Sequence, residues 1–187
     1  YHIEWTGLSY QERQNAGQIV TLMGLALLFA YLFLVAQYES WTIPLSVMLS
    51  VLFAVMGALL GLELTGGDMS IYTQLGMVML IGLAGKNAIL MVEFAKTARE
   101  SGLSIIEAAK QGASIRFRAV MMTAWSFLFG VLPLVFATGA GSASRRAIGI
   151  TTFAGMLTAT LIGIFFIPFL FTLFETLREK FHAWRRS

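Results

Sequence analysis

The stretch Leu75–Val92, LGMVMLIGLAGKNAILMV, is an apolar run with a lysine and an asparagine, Lys86 and Asn87, in its middle. Its length and composition predict a membrane-crossing helix, expected over residues 71–95. A charge at such a depth is costly: even lenient insertion scales put a central lysine at roughly 2.5–3.5 kcal/mol. Lys86 lies about ten residues, roughly 15 Å of helical rise, from the end of this span, too far to snorkel comfortably to the headgroups. It needs either a partner or a use.

The rest of the chain has the same character. Of its 187 residues 57% are hydrophobic and 12% charged, which places it with multi-pass membrane proteins, because one soluble core could not hide so much apolar surface. We therefore expect an all-α membrane protein with five transmembrane helices. Working outward from the 71–95 span, the others are expected at 19–38, 43–62, 119–138 and 147–173. The lead-in 1–17 is polar and carries the S-x-x-E spacing of a helix-capping box at Ser9–Glu12. Pro44 stands where a helix begins, and Tyr38 and Trp41 are placed for the headgroup level. Between the third and fourth spans the composition turns charged and amphipathic. Ser104–Glu107 repeats the capping box, predicting a short surface helix over 105–116. Pro133 is expected to bend the fourth span and Pro168 to interrupt the fifth.

Cysteine is absent and only two histidines occur, so the sequence offers no thiolate metal site and no catalytic constellation; no metal and no enzymatic activity are expected. The net charge of +3 does not predict nucleic-acid binding, because the basic residues flank membrane spans. Lys96, Arg99, Lys110, Arg116, Arg118, Arg178, Lys180, Arg185 and Arg186 fall on one side, against Arg13, Arg145 and Arg146 on the other. The positive-inside rule then puts the N-terminus outside and the C-terminus in the cytoplasm. The chain opens on Tyr1 without a signal peptide, and we read it as the back part of a longer protein.

Small residues mark candidate packing faces. Gly57 and Gly61 have GxxxG spacing, and Gly155, Ala159 and Gly163 repeat every four residues, patterns that admit another helix at close range. Asn87 is most simply an interhelical hydrogen bond. Lys86 calls for a counter-charge, yet the carboxylates near the spans are Glu39, Glu63, Asp68 and Glu93, none at its depth on another helix. Either the lysine is neutral, or its partner lies on a helix outside this chain; we favour the second. Lys86 and Glu93, like Arg116 and Thr123, are seven residues apart, so each pair shares a helix face. Thr123 is equally suited to bonding its own backbone. With the span starting at 119, it would sit only about 6 Å deep, shallower than Lys86. Arg116 is by default an interfacial charge.

The blocks Thr6–Arg13 (TGLSYQER), Tyr38–Pro44 (YESWTIP) and Gly85–Lys96 (GKNAILMVEFAK), then Arg116–Arg118 leading to Met122–Thr123, Pro133–Leu134 and Thr138–Gly141, resemble in order and spacing the resistance-nodulation-division (RND) multidrug efflux pumps of the AcrB type. The resemblance covers nearly the whole chain. It implies the last five of twelve helices of an inner-membrane proton/drug antiporter, the second-half bundle, with 1–17 ending the porter region and 105–116 a cytoplasmic surface helix. In that family the lysine pairs with two aspartates on a first-half helix, and an arginine and a threonine complete the proton relay; by position these are Lys86, Arg116 and Thr123. A homotrimer, a periplasmic adaptor, an outer-membrane channel and the proton gradient as energy source, with no bound cofactor, come with it. Ala119 departs from the proline many members carry there, which puts a local bend in doubt. The aspartate pair and the porter region are absent, so the segment alone is expected not to transport. The lysine also argues against the heavy-metal branch. Two rivals remain at this level: an RND branch that exports lipids or assists secretion, and a membrane anchor whose lysine serves as glue between subunits.

Overall fold

A computed structural model describes residues 21, 24, 25 and 27–184, with side chains to residue 180. The lead-in 1–17, its capping box and the start of the span expected at 19–38 lie outside the described residues. The chain divides into two units, Tyr1–Glu39 and Ser40–Ser187. In the first, the apolar helix α1 covers Leu27–Tyr38. The second holds α2 (Ile43–Leu64), α3 (Ile71–Glu100), α4 (Ile105–Val135) and α5 (Ser142–Trp184). These four are long and apolar enough to cross a membrane, and no strand occurs among the described residues.

Local chemistry sets the helix ends. Pro44 occupies the first turn of α2, where its missing N–H is no loss. Ser70 caps α3 by accepting from Thr73 N, and the Thr73 hydroxyl donates to Asp68 O at 2.9 Å. At α4 the capping box is complete: the Ser104 side chain accepts from Glu107 N while the Glu107 carboxylate accepts from Ser104 N. Between α3 and α4 the chain reverses within four residues. Gly102 takes φ +99° there, a left-handed conformation that an L side chain would strain and that ends helices. The two helices therefore run antiparallel, side by side.

Several expected helix bounds are corrected, among them the end of α3, which lies at Glu100 rather than 95. The 105–116 surface helix and the 119–138 span are not separate elements but one unbroken helix, α4. Nothing in Arg116–Phe117–Arg118–Ala119 breaks it: Ala119 keeps the backbone N–H that proline would lack and raises no ring against the preceding turn. Its last turn closes at Val135 rather than 138, two residues after Pro133. Likewise α5 begins at Ser142, not 147, and passes through Pro168 to Trp184. A proline removes one helical hydrogen bond, and the flanking turns hold: the Thr172 hydroxyl donates to Pro168 O at 2.8 Å. The early start is supported by Arg145, which donates to Ala140 O at 2.8 Å and Thr138 O at 3.1 Å.

Within this unit α3 and α5 each pack on all three other helices, while α2 and α4 sit at opposite corners. Lipid supplies no hydrophobic drive between helices, so close approach depends on small residues. Gly57 faces Thr158 and Gly61 faces Ala154, joining α2 to α5. Gly155 faces Leu80 of α3, and a Cβ there would lie 2.9 Å from Ala54 O of α2. Gly163, by contrast, has only Ile167 of its own helix within reach. α3 and α4 approach closely at Gly112, where a Cβ would lie 2.7 Å from Ala95 N and 2.9 Å from its Cα. Below it, Arg99 of α3 pairs with Glu179 of α5 and donates to Leu103 O at 2.6 Å, tying three segments together.

Gly112→Ala should therefore destabilise the bundle by about 1–3 kcal/mol, since backbone rather than a flexible side chain must give way. Gly82→Ala, which meets open space, should be neutral or stabilising by up to about 1 kcal/mol. Thermal unfolding in detergent checks both; equal melting temperatures would contradict the packing described. Ser104→Ala should lower stability by about 1 kcal/mol by removing the cap, read in the same assay, with local amide exchange accelerating over 104–108.

Candidate functional site

On α3 the residues Leu83, Lys86, Asn87 and Leu90 recur at three- and four-residue spacing, and on α4 so do Arg116, Ala119, Val120, Thr123 and Phe127. Each set occupies one helix face. With the helices antiparallel, the two faces and Met156 of α5 enclose a cleft of about 370 Å³. Lys86, Arg116 and Thr123 thus line a single space. The shallow position expected for Thr123 from a helix starting at 119 is removed, because α4 begins at Ile105. Thr123 is roughly 27 Å along α4 from the connecting turn and Lys86 roughly 21 Å along α3, about one helical turn apart.

Electrostatically the cleft is one-sided. Its lining holds two cations, Lys86 and Arg116, and no carboxylate. Lys86 is exposed on the surface of this chain, and among the described residues it forms no ion pair; Glu93, seven residues along the same helix, does not reach it. The described ion pairs lie towards the α3–α4 turn and the end of α5: Lys96–Glu100, Arg99–Glu179 and Arg178–Glu175. Two like charges sharing a cleft repel, and an anion between them would be held by both.

Arg116 sits differently. Its Nε is buried and has no hydrogen-bond partner among the described residues, while its guanidinium carbon lies 4.5 Å from the centre of the Phe94 ring on α3. Thr123 donates to Ala119 O and Val120 O, both at 3.0 Å. Its hydroxyl proton is thereby committed to the backbone, and its oxygen remains free to accept. Asn87 makes no interhelical hydrogen bond among the described residues. It lies instead between the cleft and a second cavity of about 20 Å³, lined also by Ser50 of α2 and by Ala159, Thr160 and Gly163 of α5. Among the described residues no cluster of three His, Asp or Glu could hold a metal ion.

Sequence reasoning missed Phe94. The signal was present, since Phe94 is four residues beyond Leu90 and seven beyond Asn87, on the same face. An aromatic residue in an apolar helix reads as lipid-facing bulk until a cation is found above it.

Comparison with known proteins agrees with this architecture. The model of the AcrB/AcrD/AcrF family matches residues 1–175. The toluene efflux pump membrane transporter TtgB of Pseudomonas putida is 43% identical over 173 residues, which is 92% of this chain and 16% of that protein. Two proteins of Escherichia coli are similarly related: multidrug resistance protein MdtF is 45% identical over 178 residues, 95% of this chain and 17% of its own length. Multidrug export protein AcrF is 44% identical over 169 residues, 90% and 16%. The chain spans about one sixth of the length of these relatives, and with the family model covering nearly all of it, the chain belongs to the AcrB/AcrD/AcrF family of RND efflux transporters.

Proposed function

We propose that this segment carries the second-half side of the proton relay in an RND proton/drug antiporter that exports hydrophobic or amphiphilic compounds. The observation that carries the reading is the meeting of Lys86, Arg116 and Thr123 in one cleft containing two cations and no carboxylate. An acidic partner on a first-half helix, the aspartate pair of the family, completes it. Lys86 faces out of the α2–α5 bundle, as a residue that meets another helix should. That relatives include a toluene efflux pump and a multidrug export protein supports the substrate class.

In this reading a carboxylate held between Lys86 and Arg116 is charged and draws the two halves together. Protonation from the outside removes that attraction, the two cations are left to repel, and the halves shift. Release of the proton to the cytoplasm restores the pair. Thr123, whose oxygen still accepts, holds an intermediate proton or water at the far end of the cleft. The protein would sit in the bacterial inner membrane with the segment's N-terminus periplasmic and its C-terminus cytoplasmic. It would act as a homotrimer with a periplasmic adaptor and an outer-membrane channel.

In the complete transporter, Lys86→Ala and Arg116→Ala should each lower proton-driven export by at least about 10²-fold, the scale of a lost proton-transfer group, at unchanged abundance and trimer content. Lost assembly with normal transport per assembled molecule would instead favour a lysine that merely glues subunits. Thr123→Val should cost about two- to tenfold, the worth of one hydrogen bond. The 187-residue segment alone, reconstituted in vesicles under a proton gradient, should show no coupled uptake; measurable uptake would contradict the need for an outside partner.

A further inference from the structure

We propose that Phe94 is a positioning residue for Arg116: its ring holds the guanidinium at the cytoplasmic end of the cleft while leaving the arginine's charge and donors free for a transient anion. The inference rests on the relay reading above.

The separation of 4.5 Å from guanidinium carbon to ring centre is well inside the range of cation–π attraction. Side chains on a helix lean towards its N-terminus. On antiparallel α3 and α4, Phe94 therefore leans up towards Leu90, and Arg116 leans down over the turn containing Gly112. They meet because Gly112 has no side chain and lets α4 close on the backbone of Ala95, the residue after Phe94. The contact is thus built by three positions at fixed spacing.

The choice of partner matters chemically. A carboxylate in place of the ring would neutralise Arg116 and occupy its donors, leaving it nothing to offer the cleft. A ring face attracts the cation but accepts none of its five N–H groups in a conventional hydrogen bond. Arg116 forms no ion pair among the described residues, and its buried Nε is without a hydrogen-bond partner there. It is held in place and still unspent. Because Phe94 and Lys86 lie on the same helix, a movement of α3 carries the lysine and the ring together. The distance between the two cations is then set by α3 rather than by the flexible arginine stem.

The test replaces Phe94 in the complete transporter, reconstituted in proteoliposomes, with phenylalanines carrying one, two and three ring fluorines. These keep the shape and withdraw charge from the ring face, so folding is preserved. Proton-coupled turnover should fall stepwise, by about 3- to 30-fold across the series. Phe94→Trp should retain turnover, and Phe94→Leu should resemble the trifluorinated form at equal abundance and melting temperature. A flat series, with Leu as active as Phe, overturns the proposal. Arg116→Ala run alongside separates the two readings. If it abolishes coupled transport while the fluorine series stays flat, the relay stands and Phe94 has no part in it. If Arg116→Ala transports normally, Arg116 is no relay member and the positioning role falls with it.

Discussion

A lysine in the middle of a membrane helix, with no carboxylate paired to it among the described residues, is the constraint on which this molecule turns. Lipid cannot solvate that charge, and the four packed helices do not neutralise it. They place a second cation, Arg116, in the same cleft. A structure that sought only stability would have avoided both. The arrangement makes sense if an anion arrives from a neighbouring element and its charge is switched, because the energy of two cations facing one carboxylate changes sign when the carboxylate is protonated.

The scaffold is arranged so that this cleft has firm walls on the described side. Small residues seat α2 on α5 and α4 on α3 almost backbone to backbone, and buried threonines such as Thr151, Thr152 and Thr160 return their hydroxyls to carbonyls of their own helix. Those hydroxyls are thereby satisfied within their own helix. Polar atoms left with capacity sit around the cleft: the arginine Nε, the Asn87 amide and the accepting lone pairs of Thr123. Asn87 also lines the small cavity beside Ser50 and Thr160, large enough for about one water molecule. Polar character therefore continues from the cleft into the seam between α2, α3 and α5.

Much of this was legible in the sequence. The costly lysine, the short inventory of carboxylates and the capping box at Ser104 each follow from residue chemistry over a few positions; α2 ends two residues past where hydropathy places it, while α3 runs five residues further, to Glu100, because its charged last turn stays helical. The merging of 105–116 with the following span was not legible, because a change from amphipathic to apolar composition looks like a boundary although the backbone needs a breaking residue to stop, and Ala119 is not one. Pro168 misled in the opposite direction: a proline marks a lost hydrogen bond, and a long apolar helix held on three sides absorbs it. Phe94 was hidden for a third reason. Its role depends on which α4 side chain lies above it, and that is fixed by the turn at Gly102 and the contact at Gly112, neither of which is visible in the local pattern around residue 94.

If α3 and α4 jointly form one cleft around Lys86 and Arg116, facing positions on the two helices lie within reach of a short cross-linker. Because this segment has no cysteine, introduced pairs can be read directly in a complete transporter otherwise free of cysteine. With a short bifunctional thiol reagent in native membranes, Asn87→Cys combined with Val120→Cys should cross-link efficiently, since both residues line the cleft and the small cavity beside it. Asn87→Cys combined with Phe129→Cys should not, since Phe129 is 67% exposed and lines neither space. Cross-linking of the second pair and not the first would contradict a cleft shared by α3 and α4.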